Sequence, residues 1–410
     1  MQKEVSANVT GSPGQVGPNT SDRDFLQEHD IQNVLCVTCN VCHISSIGSV
    51  LGTSDVDPIW MKTTIQDYFS QSRDHVTDPT YKEAAKNFIL KFGDYGLETH
   101  THTFATGVST VTGNNVIGVL KEKYFKTASD RVVGVTAHCD TAAGTQGVNA
   151  NGAGVVAMLQ AARHLAKFTR DYTVVFVAFD FLEPGEDNAC TSLGCGSRSF
   201  MNEWVYSFWS TPPTTTGVIV MDNILNFNDI QESQSLPAGY DVLFPGLASS
   251  LTSNNNKGDF LTVIGRPFDS GVLNSFIQSY TALGQPEFGM ENVYISNITG
   301  SSVTPDDITT YWDLMKSNHL TFWNHSVPAI FITDTADFRG YMKTCYHQSC
   351  DNMSQVTDKR IQFAGKTTQA VIDTVGKLAP ASSAGVHRLD VSMLGVLVGI
   401  LLWINAAFTV

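Results

Sequence analysis

Four apolar runs along the chain share one feature, which is an acid or a histidine where the run ends. The runs lack polar alternation, as is typical of strands buried on both faces of a parallel sheet. They read RVVGVTAHCD, TVVFVAFDFLE, GVIVMDN and VPAIFITDT, and they end at His138 and Asp140, Asp180 and Glu183, Asp222, and Asp334. One such acid alone is typical of a helix cap or a solvated loop. Several of them favour a site, because ligands of open α/β sheets bind beyond the carboxyl ends of strands.

Helical patterns separate these runs. Tyr81 to Tyr95 places apolar residues at helical spacing and stops before Gly96, as a helix should. A second helix is predicted after Asn151, with an apolar stripe of Val155, Leu159, Ala162 and Leu165. This alternation of strand and helix signals predicts an α/β domain over residues 54–380, after a polar, mostly disordered leader at 1–53.

Charge and composition exclude one class of partner. The chain has 410 residues and a formal net charge of −14, and its 25 Lys and Arg residues form no cluster. Such a surface argues against nucleic-acid binding. The oligomeric state is left open by the sequence.

Cysteines and glycosylation sequons point to the secretory route. Cys190 and Cys195 are five residues apart, as are Cys345 and Cys350, which suits local disulfides. Buried free thiols are the alternative, because sequence alone cannot prove a pairing. Five N-x-S/T sequons agree with a secreted chain, and they begin at Asn8, Asn19, Asn297, Asn324 and Asn352.

The first residues of the chain do not resemble a signal peptide, since they lack an apolar segment. A run of Cys36, Cys39, Cys42 and His43 follows, and we interpret it as incidental because its spacing fits no common zinc module.

The C-terminal segment 381–410 predicts membrane attachment. Val391 to Val410 is mostly apolar, carries no charged residue and is about long enough to cross a bilayer. Small residues at 382–385 and a short polar spacer precede it, and no basic residue follows it. This order is typical of a glycosylphosphatidylinositol (GPI) anchor signal, with a transmembrane tail as the alternative. The expected location is therefore the extracellular face of the plasma membrane.

The residues at the strand ends suit metal-assisted hydrolysis, which needs imidazole and carboxylate ligands and a base to activate water. His138 and Asp140 form an H-x-D pair in which the carboxylate can orient the imidazole. The segment YHQSCD supplies a second imidazole, His347, with Asp351 four residues on.

Taken in order, the motifs resemble the zinc aminopeptidase family that also contains the glutaminyl cyclases, metallopeptidase family 28. The resemblance runs from about Thr80 to about Ala379, through the segments AHCDT, GVNANGAG, FVAFDFLE, VIVMDN, VPAIFITDTADFR and YHQSCD. It implies a mainly parallel mixed sheet sandwiched between helices, of the zinc-exopeptidase type, with two zinc ions. By position, His138 and Asp222 would bind one ion, Glu183 and His347 would bind the other, and Asp140 and Asp351 would support the ligands.

Two positions depart from the family pattern. The carboxylate that bridges both ions is expected at Ala150, and the general base is expected at Leu182. Asn149 and Asn151 offer neutral amides that cannot replace a bridging anion. Glu186 or Asp187 are weak substitutes for the base, and a further alternative has Glu183 as base and Glu186 as ligand. Asn318 also stands where the family often has an acid.

Two hypotheses about function follow. The first is a cell-surface, metallopeptidase-like protein that binds peptide or protein N-termini with impaired or lost catalysis. The second is an active zinc aminopeptidase that uses a modified metal site. The two departures favour the first, because loss of a general base alone typically costs about 10²–10⁴-fold in rate. A glutaminyl cyclase activity ranks third, because it also requires the carboxylate missing at Ala150.

Overall fold

Eight strands form one mixed sheet in the computed structural model, which describes residues 55–183, 189–190 and 194–382. The strands are β1 Glu98–Ala105, β2 Thr112–Leu120, β3 Val132–His138, β4 Val174–Phe179, β5 Thr215–Met221, β6 Phe260–Gly265, β7 Gly289–Tyr294 and β8 Ala329–Thr333. Their spatial order is β1-β2-β4-β3-β5-β8-β6-β7. The central strands β4, β3, β5 and β8 run parallel, while β1, β2 and the β6–β7 pair make antiparallel junctions with their neighbours.

Helices cover both faces of this sheet, which confirms the predicted α/β class. They are α1 Pro58–Tyr68, α2 Pro79–Ile89, α3 Ala153–Leu165, α4 Cys195–Ser199, α5 Val205–Trp209, α6 Tyr240–Leu243, α7 Pro245–Ser253, α8 Ser270–Ala282, α9 Pro305–Thr310, α10 His319–Asn324, α11 Met342–Cys345 and α12 Asp358–Leu378. None of the helices in the described ranges is both long and apolar enough to cross a bilayer.

The continuous apolar runs form strands because both of their faces are covered. Every residue of β3 and of β4 is buried, whereas the edge strand β7 is mostly exposed or half-buried. One core lies under α1, α3, α8 and α12, and a second core lies on the opposite face under α4, α5 and α10. A polar side chain inside these runs would therefore be desolvated on either face.

Helix α2 begins two residues before the predicted start, because Asp78 caps it and Pro79 fits its first position. The Asp78 carboxylate accepts a hydrogen bond from the Tyr81 amide at 2.9 Å. The helix tightens into a 3₁₀ turn over Leu90–Tyr95 and ends at Gly96, whose φ of 85° is left-handed. The predicted span is thus helical, and the glycine stop is confirmed.

Helix α3 is buried more completely than the predicted stripe implies. Among its thirteen residues only Arg163 and His164 lie outside the buried set, because α1 and α12 pack over the side that faces away from the sheet. The helix is therefore a central element of the domain, and its first turn is held rigidly beneath the strand ends.

Both predicted disulfides are present, joining Cys190 to Cys195 and Cys345 to Cys350. Cys139 is the free cysteine of the described part of the chain, and it is buried. Several predicted features lie outside the described residues. These are the leader with its C-x-x-C-x-x-CH run and the sequons at Asn8 and Asn19, the C-terminal anchor signal, and Glu186 and Asp187.

Candidate metal centre and the cleft beside it

The four predicted zinc ligands meet beyond the carboxyl ends of the central strands, where they form two pairs. His138 ends β3 and Asp222 follows the neighbouring β5, so parallel pairing brings them together. The distance from His138 Nε2 to Asp222 Oδ1 is 3.2 Å. Glu183 follows β4, and its Oε1 lies 3.1 Å from Nε2 of His347 in the loop after α11.

Asp140 connects these two pairs. Its Oδ1 lies 3.3 Å from His138 Nδ1, and its Oδ2 accepts a hydrogen bond from the Glu183 amide at 3.0 Å. This carboxylate can thus orient the His138 ring while holding the chain beyond β4, which is the position that the resemblance implies for it.

Opposing charges define the electrostatics of the first pair. Burial lowers the pKa of His138, but the carboxylates of Asp222 and Asp140 raise it by more, and the net pKa lies well above the usual value. Burial raises the pKa of Asp222, but the neighbouring His138 lowers it by more. The net pKa of Asp222 therefore lies below its ordinary value. The carboxylates of Asp222 and Asp140 thus stabilise the charged form of the His138 ring.

The segment Gly147–Asn151 passes directly beneath these pairs. Gly147 has a left-handed φ of 59°, and a Cβ there would overlap Thr141 Cγ2, so the tight turn requires glycine. Asn149 Oδ1 accepts a hydrogen bond from the Leu225 amide at 2.9 Å. Asn151 Oδ1 accepts one from the Asn223 amide at 3.2 Å. Both amide oxygens thus hold neighbouring backbone, which makes either residue a poor replacement ligand.

Ala150, at the expected bridging position, is packed in an apolar cluster. It contacts Met342 and Cys345, flanked by Tyr341 and Tyr346 beside the Cys345–Cys350 disulfide, and 5 % of its surface is exposed. A methyl group fits these neighbours, whereas a carboxylate placed there would need a cation to offset its burial.

The side chains do not fit the two-zinc centre that the family pattern implies. Zinc is normally held by three or four protein ligands. Among the described residues, no group of three or more His, Cys, Asp or Glu side chains is arranged to hold a metal ion. Each predicted pair supplies two ligands, and Ala150, at the position predicted for the anion that would join the pairs, offers a methyl group.

Arg73 is a supporting residue that no sequence motif revealed. Its guanidinium is fully buried and donates hydrogen bonds to backbone carbonyls alone. The acceptors include Cys139 beyond β3 at 2.9 Å, and Gln146 and Gly147 of the loop at 2.9 and 2.8 Å. A guanidinium carries five N–H donors in a planar fork, so one side chain can hold two strand-end segments together. No sequence pattern marks Arg73 as a supporting residue, because its acceptors are backbone carbonyls, which every residue carries.

Asp351 supports the loop that carries Ala150 through hydrogen bonds to the loop backbone. Its carboxylate accepts hydrogen bonds from the amides of Asn149 at 2.9 Å and Ala150 at 3.0 Å. Burial raises the pKa of Asp351 to about 6, although those bonds and the charge of Arg73 lower it. Asp351 therefore fixes the position of the site loop at the cost of a buried charge at neutral pH.

This raised pKa predicts a pH-dependent stability difference between the wild type and Asp351→Asn. An unfolded Asp has a pKa of about 3.9, so the protonated acid is favoured by folding. Its contribution is fully present below about pH 4 and is lost as the pH rises through about 6. We expect the wild type to lose about 2 kcal/mol relative to Asp351→Asn between pH 4 and pH 7. Urea titrations at both pH values measure the difference, with Asp358→Asn as the exposed control; a difference independent of pH contradicts the assignment.

Asp180 has a structural role, unlike the other acids at the strand ends. Its Oδ1 lies 2.7 Å from Lys82 Nζ, and its Oδ2 lies 2.7 Å from Lys86 Nζ. All three side chains are buried. Burial raises the pKa of Asp180, but the two lysines lower it by more, to well below its usual range. The carboxylate thus joins α2 to the end of β4 and is not free to bind a ligand.

Among the described residues, the position predicted for the general base carries no ionisable group. Leu182 is 1 % exposed, and the alternative acids Glu186 and Asp187 lie outside the described residues. Asn318, just before α10, is buried, and its amide has no hydrogen-bond partner in the described chain. The roles assigned to these residues remain predictions.

A cleft opens beside Asp222 that the sequence did not reveal. Its volume is about 760 Å³, including the open solvent at its mouth. The walls are mostly apolar and include Leu236, Leu251, Phe260, Ile264, Phe331 and Phe338. Two further carboxylates line it. Asp313 is paired with Lys316 at 2.6 Å, whereas Asp337 is half-buried and makes no ion pair among the described residues.

Comparison with known proteins finds similarity to a family of peptidases over part of the chain. The sequence model of Peptidase family M28 matches residues 115–251, which include β2 to β5 and the loop with Ala150. No curated protein matches the chain. Among solved structures, the LapA aminopeptidase of Legionella pneumophila is 16 % identical, with a TM-score of 0.51, over 78 % of this chain and 71 % of that one.

Two further structures share the fold. The glutaminyl cyclase of Porphyromonas gingivalis is 16 % identical, with a TM-score of 0.51, over 80 % of this chain and 98 % of that one. An aminopeptidase from Aneurinibacillus sp. strain AM-1 is 12 % identical, with a TM-score of 0.52, over 80 % and 95 %. At these identities the likeness shows the fold alone.

The fold and the matched segment together define a metallopeptidase-like α/β protein. The resemblance to the zinc aminopeptidases and glutaminyl cyclases of family M28 is therefore confirmed. This similarity implies zinc as the cofactor of the family, while the side chains described above form an incomplete site for it.

Proposed function

We propose that the protein binds the free N-terminus of peptides that begin with an apolar residue, and that it does so without hydrolysing them. The observation that carries this proposal is the cleft beside Asp222, whose apolar walls contain the carboxylate of Asp337, an acid with no ion pair in the part of the chain that the structure describes. A peptide N-terminus combines an ammonium group with a side chain, which matches one carboxylate within an apolar pocket.

The energetics of the cleft support binding of a cation. Asp313 is already neutralised by Lys316, and Asp222 is held by His138, so Asp337 is the acid of the cleft that remains available to an ammonium group. A charge-assisted hydrogen bond in a partly desolvated cleft contributes more than a neutral one. The surrounding Leu and Phe side chains would bury the apolar residue of the peptide.

The lack of turnover follows from the two replaced positions. Ala150 supplies no anion to join two metal ions, and Leu182 supplies no base for a water molecule. These losses affect the same reaction step, so binding can persist where hydrolysis does not. The family similarity favours the alternative, an aminopeptidase with a modified site, and the zinc measurement described in the Discussion separates the two.

Peptide titration tests the binding function. A Leu-initiated peptide and its N-acetylated form would be titrated by calorimetry into the full-length protein. We expect the free amine to bind at least about tenfold more tightly, and Asp337→Asn to remove most of that preference, as loss of a charged hydrogen bond predicts. Asp306→Asn, an exposed acid on α9 that does not line the cleft, is the matched control.

Two results would contradict the proposal. Equal affinity for the free and acetylated peptides would show that the cleft does not recognise an N-terminus. Release of free leucine from the unmodified peptide, followed by chromatography, would show that catalysis is retained.

We also place the protein on the extracellular face of the plasma membrane, held by a GPI anchor. The apolar tail at 391–410, the sequons and the two disulfides support this location. Treatment of expressing cells with a phosphatidylinositol-specific phospholipase should release the protein to the medium, and retention on the cells would favour a transmembrane tail.

A further inference from the structure

A second cavity lies on the face of the sheet that α4, α5 and α10 cover. We refer to it as the rear pocket. It has a volume of about 540 Å³, including open solvent at its mouth. Its floor is formed by side chains of three adjacent strands, and Phe200, Met201, Val205 and Phe322 lie above them. None of the residues that form the peptide cleft or the candidate metal centre lines it.

The rear pocket is elongated along β3. Val132, Gly134 and Thr136 project onto the same face of this strand, because alternate residues of a strand share a face. The four residue-to-residue steps from Val132 to Thr136 correspond to a length of about 13 Å. Pro212 and Trp209 are exposed or half-buried near the Val132 end, whereas Thr136 is 1 % exposed, so the pocket has a mouth and a deep end.

Gly134 lies in the middle of the floor, where the side chain of Val218 from the neighbouring strand β5 packs against it. A Cβ at position 134 would lie 3.1 Å from that side chain, closer than ordinary contact allows. A larger residue would therefore displace Val218, which also lines the pocket.

Two polar atoms of the lining have no partner. Neither the Thr136 hydroxyl nor the Trp209 indole nitrogen forms a hydrogen bond within the described chain, although both atoms are buried. A buried polar group left without a partner costs free energy, and its presence in a native structure calls for an explanation. A ligand oxygen would satisfy either atom, since the hydroxyl both donates and accepts while the indole N–H donates.

We propose that the rear pocket binds a neutral, elongated apolar molecule that carries a hydroxyl or carbonyl oxygen. The length of the pocket and its apolar walls suit the hydrocarbon part of such a molecule. The Thr136 hydroxyl at the deep end would form a hydrogen bond with the oxygen of the molecule. No charged side chain lines the pocket. An ionised carboxylate would therefore be desolvated without a counter-charge, which excludes fatty acids in their ionised form.

Titration with 1-octanol, n-octane and octanoate at pH 7.5 tests this inference on the full-length protein. The reporter is the indole N–H resonance of Trp209, assigned through its loss in Trp209→Phe. We expect a saturable shift with 1-octanol and at least about tenfold weaker binding of octanoate, because the pocket offers its charge no partner.

Thr136→Val is the informative variant, because it keeps the shape of the side chain and removes the hydroxyl. It should weaken 1-octanol binding about five- to tenfold, the value of one net hydrogen bond, and leave n-octane binding unchanged. Thr262→Val is the matched control. Thr262 is also a buried strand threonine whose hydroxyl has no partner in the described chain, but it lines the peptide cleft instead.

Three results overturn the proposal. The first is the absence of a saturable Trp209 shift with 1-octanol, and the second is binding of octanoate as tight as that of 1-octanol. The third is an equal effect of Thr136→Val and Thr262→Val. The first two comparisons use the wild-type protein, so they remain decisive if Thr136→Val does not fold.

Discussion

Combining Ala150→Asp with Leu182→Glu should raise the zinc affinity of the full-length protein by more than about 100-fold. The estimate is a lower bound, because even residues that only support metal ligands change affinity about 10–100-fold. The carboxylate introduced by Ala150→Asp would join the His138–Asp222 pair to the Glu183–His347 pair, so that each ion would gain a third ligand. The wild type should hold less than one tightly bound zinc per chain after exhaustive dialysis, measured by atomic emission.

The matched control is Ala150→Asn with Leu182→Gln, which has nearly the same shape without the charge and should leave zinc affinity close to that of the wild type. Two outcomes contradict the expected result. One is unchanged occupancy in the acidic double variant, which would mean that Ala150 and Leu182 are not the replaced positions. The other is a wild type with two tightly bound zinc ions and peptide turnover that His138→Ala abolishes.

Replacing Asp180 by Asn should reduce the free energy of unfolding by about 3–5 kcal/mol at pH 7. The change leaves Lys82 and Lys86 buried without their shared carboxylate, and Glu83, 3.3 Å from Lys86, is largely exposed and offsets little of that charge. Guanidinium titration followed by circular dichroism measures the loss.

Two further variants separate this ion cluster from a general effect of mutation. Asp358→Asn removes the acid of an exposed pair with Lys62 and should change stability by less than about 1 kcal/mol. Asp180→Leu combined with Lys82→Met and Lys86→Met removes all three charges and should recover most of the loss, because apolar replacement of a buried ion cluster is often tolerated. Similar losses for Asp180→Asn and Asp358→Asn would refute the proposed role of the cluster.

The fold could be predicted because its central strands are covered on both faces. The sequences of β3, β4, β5 and β8 are continuous apolar runs, and an acid or histidine closes each one. Where a strand lies at the sheet edge, as β7 does, most of its residues are exposed or half-buried, and its pattern is not distinctive. The two disulfides could also be predicted, since each closes a loop between cysteines five residues apart.

The residues of the candidate site could be predicted where they lie at the end of a predicted strand. They could not be predicted where they come from a segment that is distant in the sequence. His138, Asp140 and Asp222 belong to the first kind. Arg73 reaches the loop at Gly147 across 74 positions of sequence, and Asp351 reaches Asn149 across 202. Such contacts join side chains to backbone amides and carbonyls, which every residue carries, so no sequence pattern marks them.

Asp337 could not be recognised as a binding residue for a related reason. An acid soon after an apolar strand is typical of a turn, and only the packing of Phe331 and Phe338 around it creates an apolar cleft. For Asp180 the sequence context suggested a place in the site, whereas the structure shows a buried ion cluster. It has the same sequence context as Asp222, but its partners are two lysines of a helix almost one hundred positions earlier in the chain.

The contacts of the loop around Ala150 also bear on how such a protein can evolve. Arg73 and Asp351 fix the loop through its backbone, and the side chain at position 150 adds only apolar packing against Met342 and Cys345. A lineage could therefore exchange that side chain without unfolding its product. A single substitution at position 150 could then abolish catalysis while the fold, and any binding to its surface, is retained.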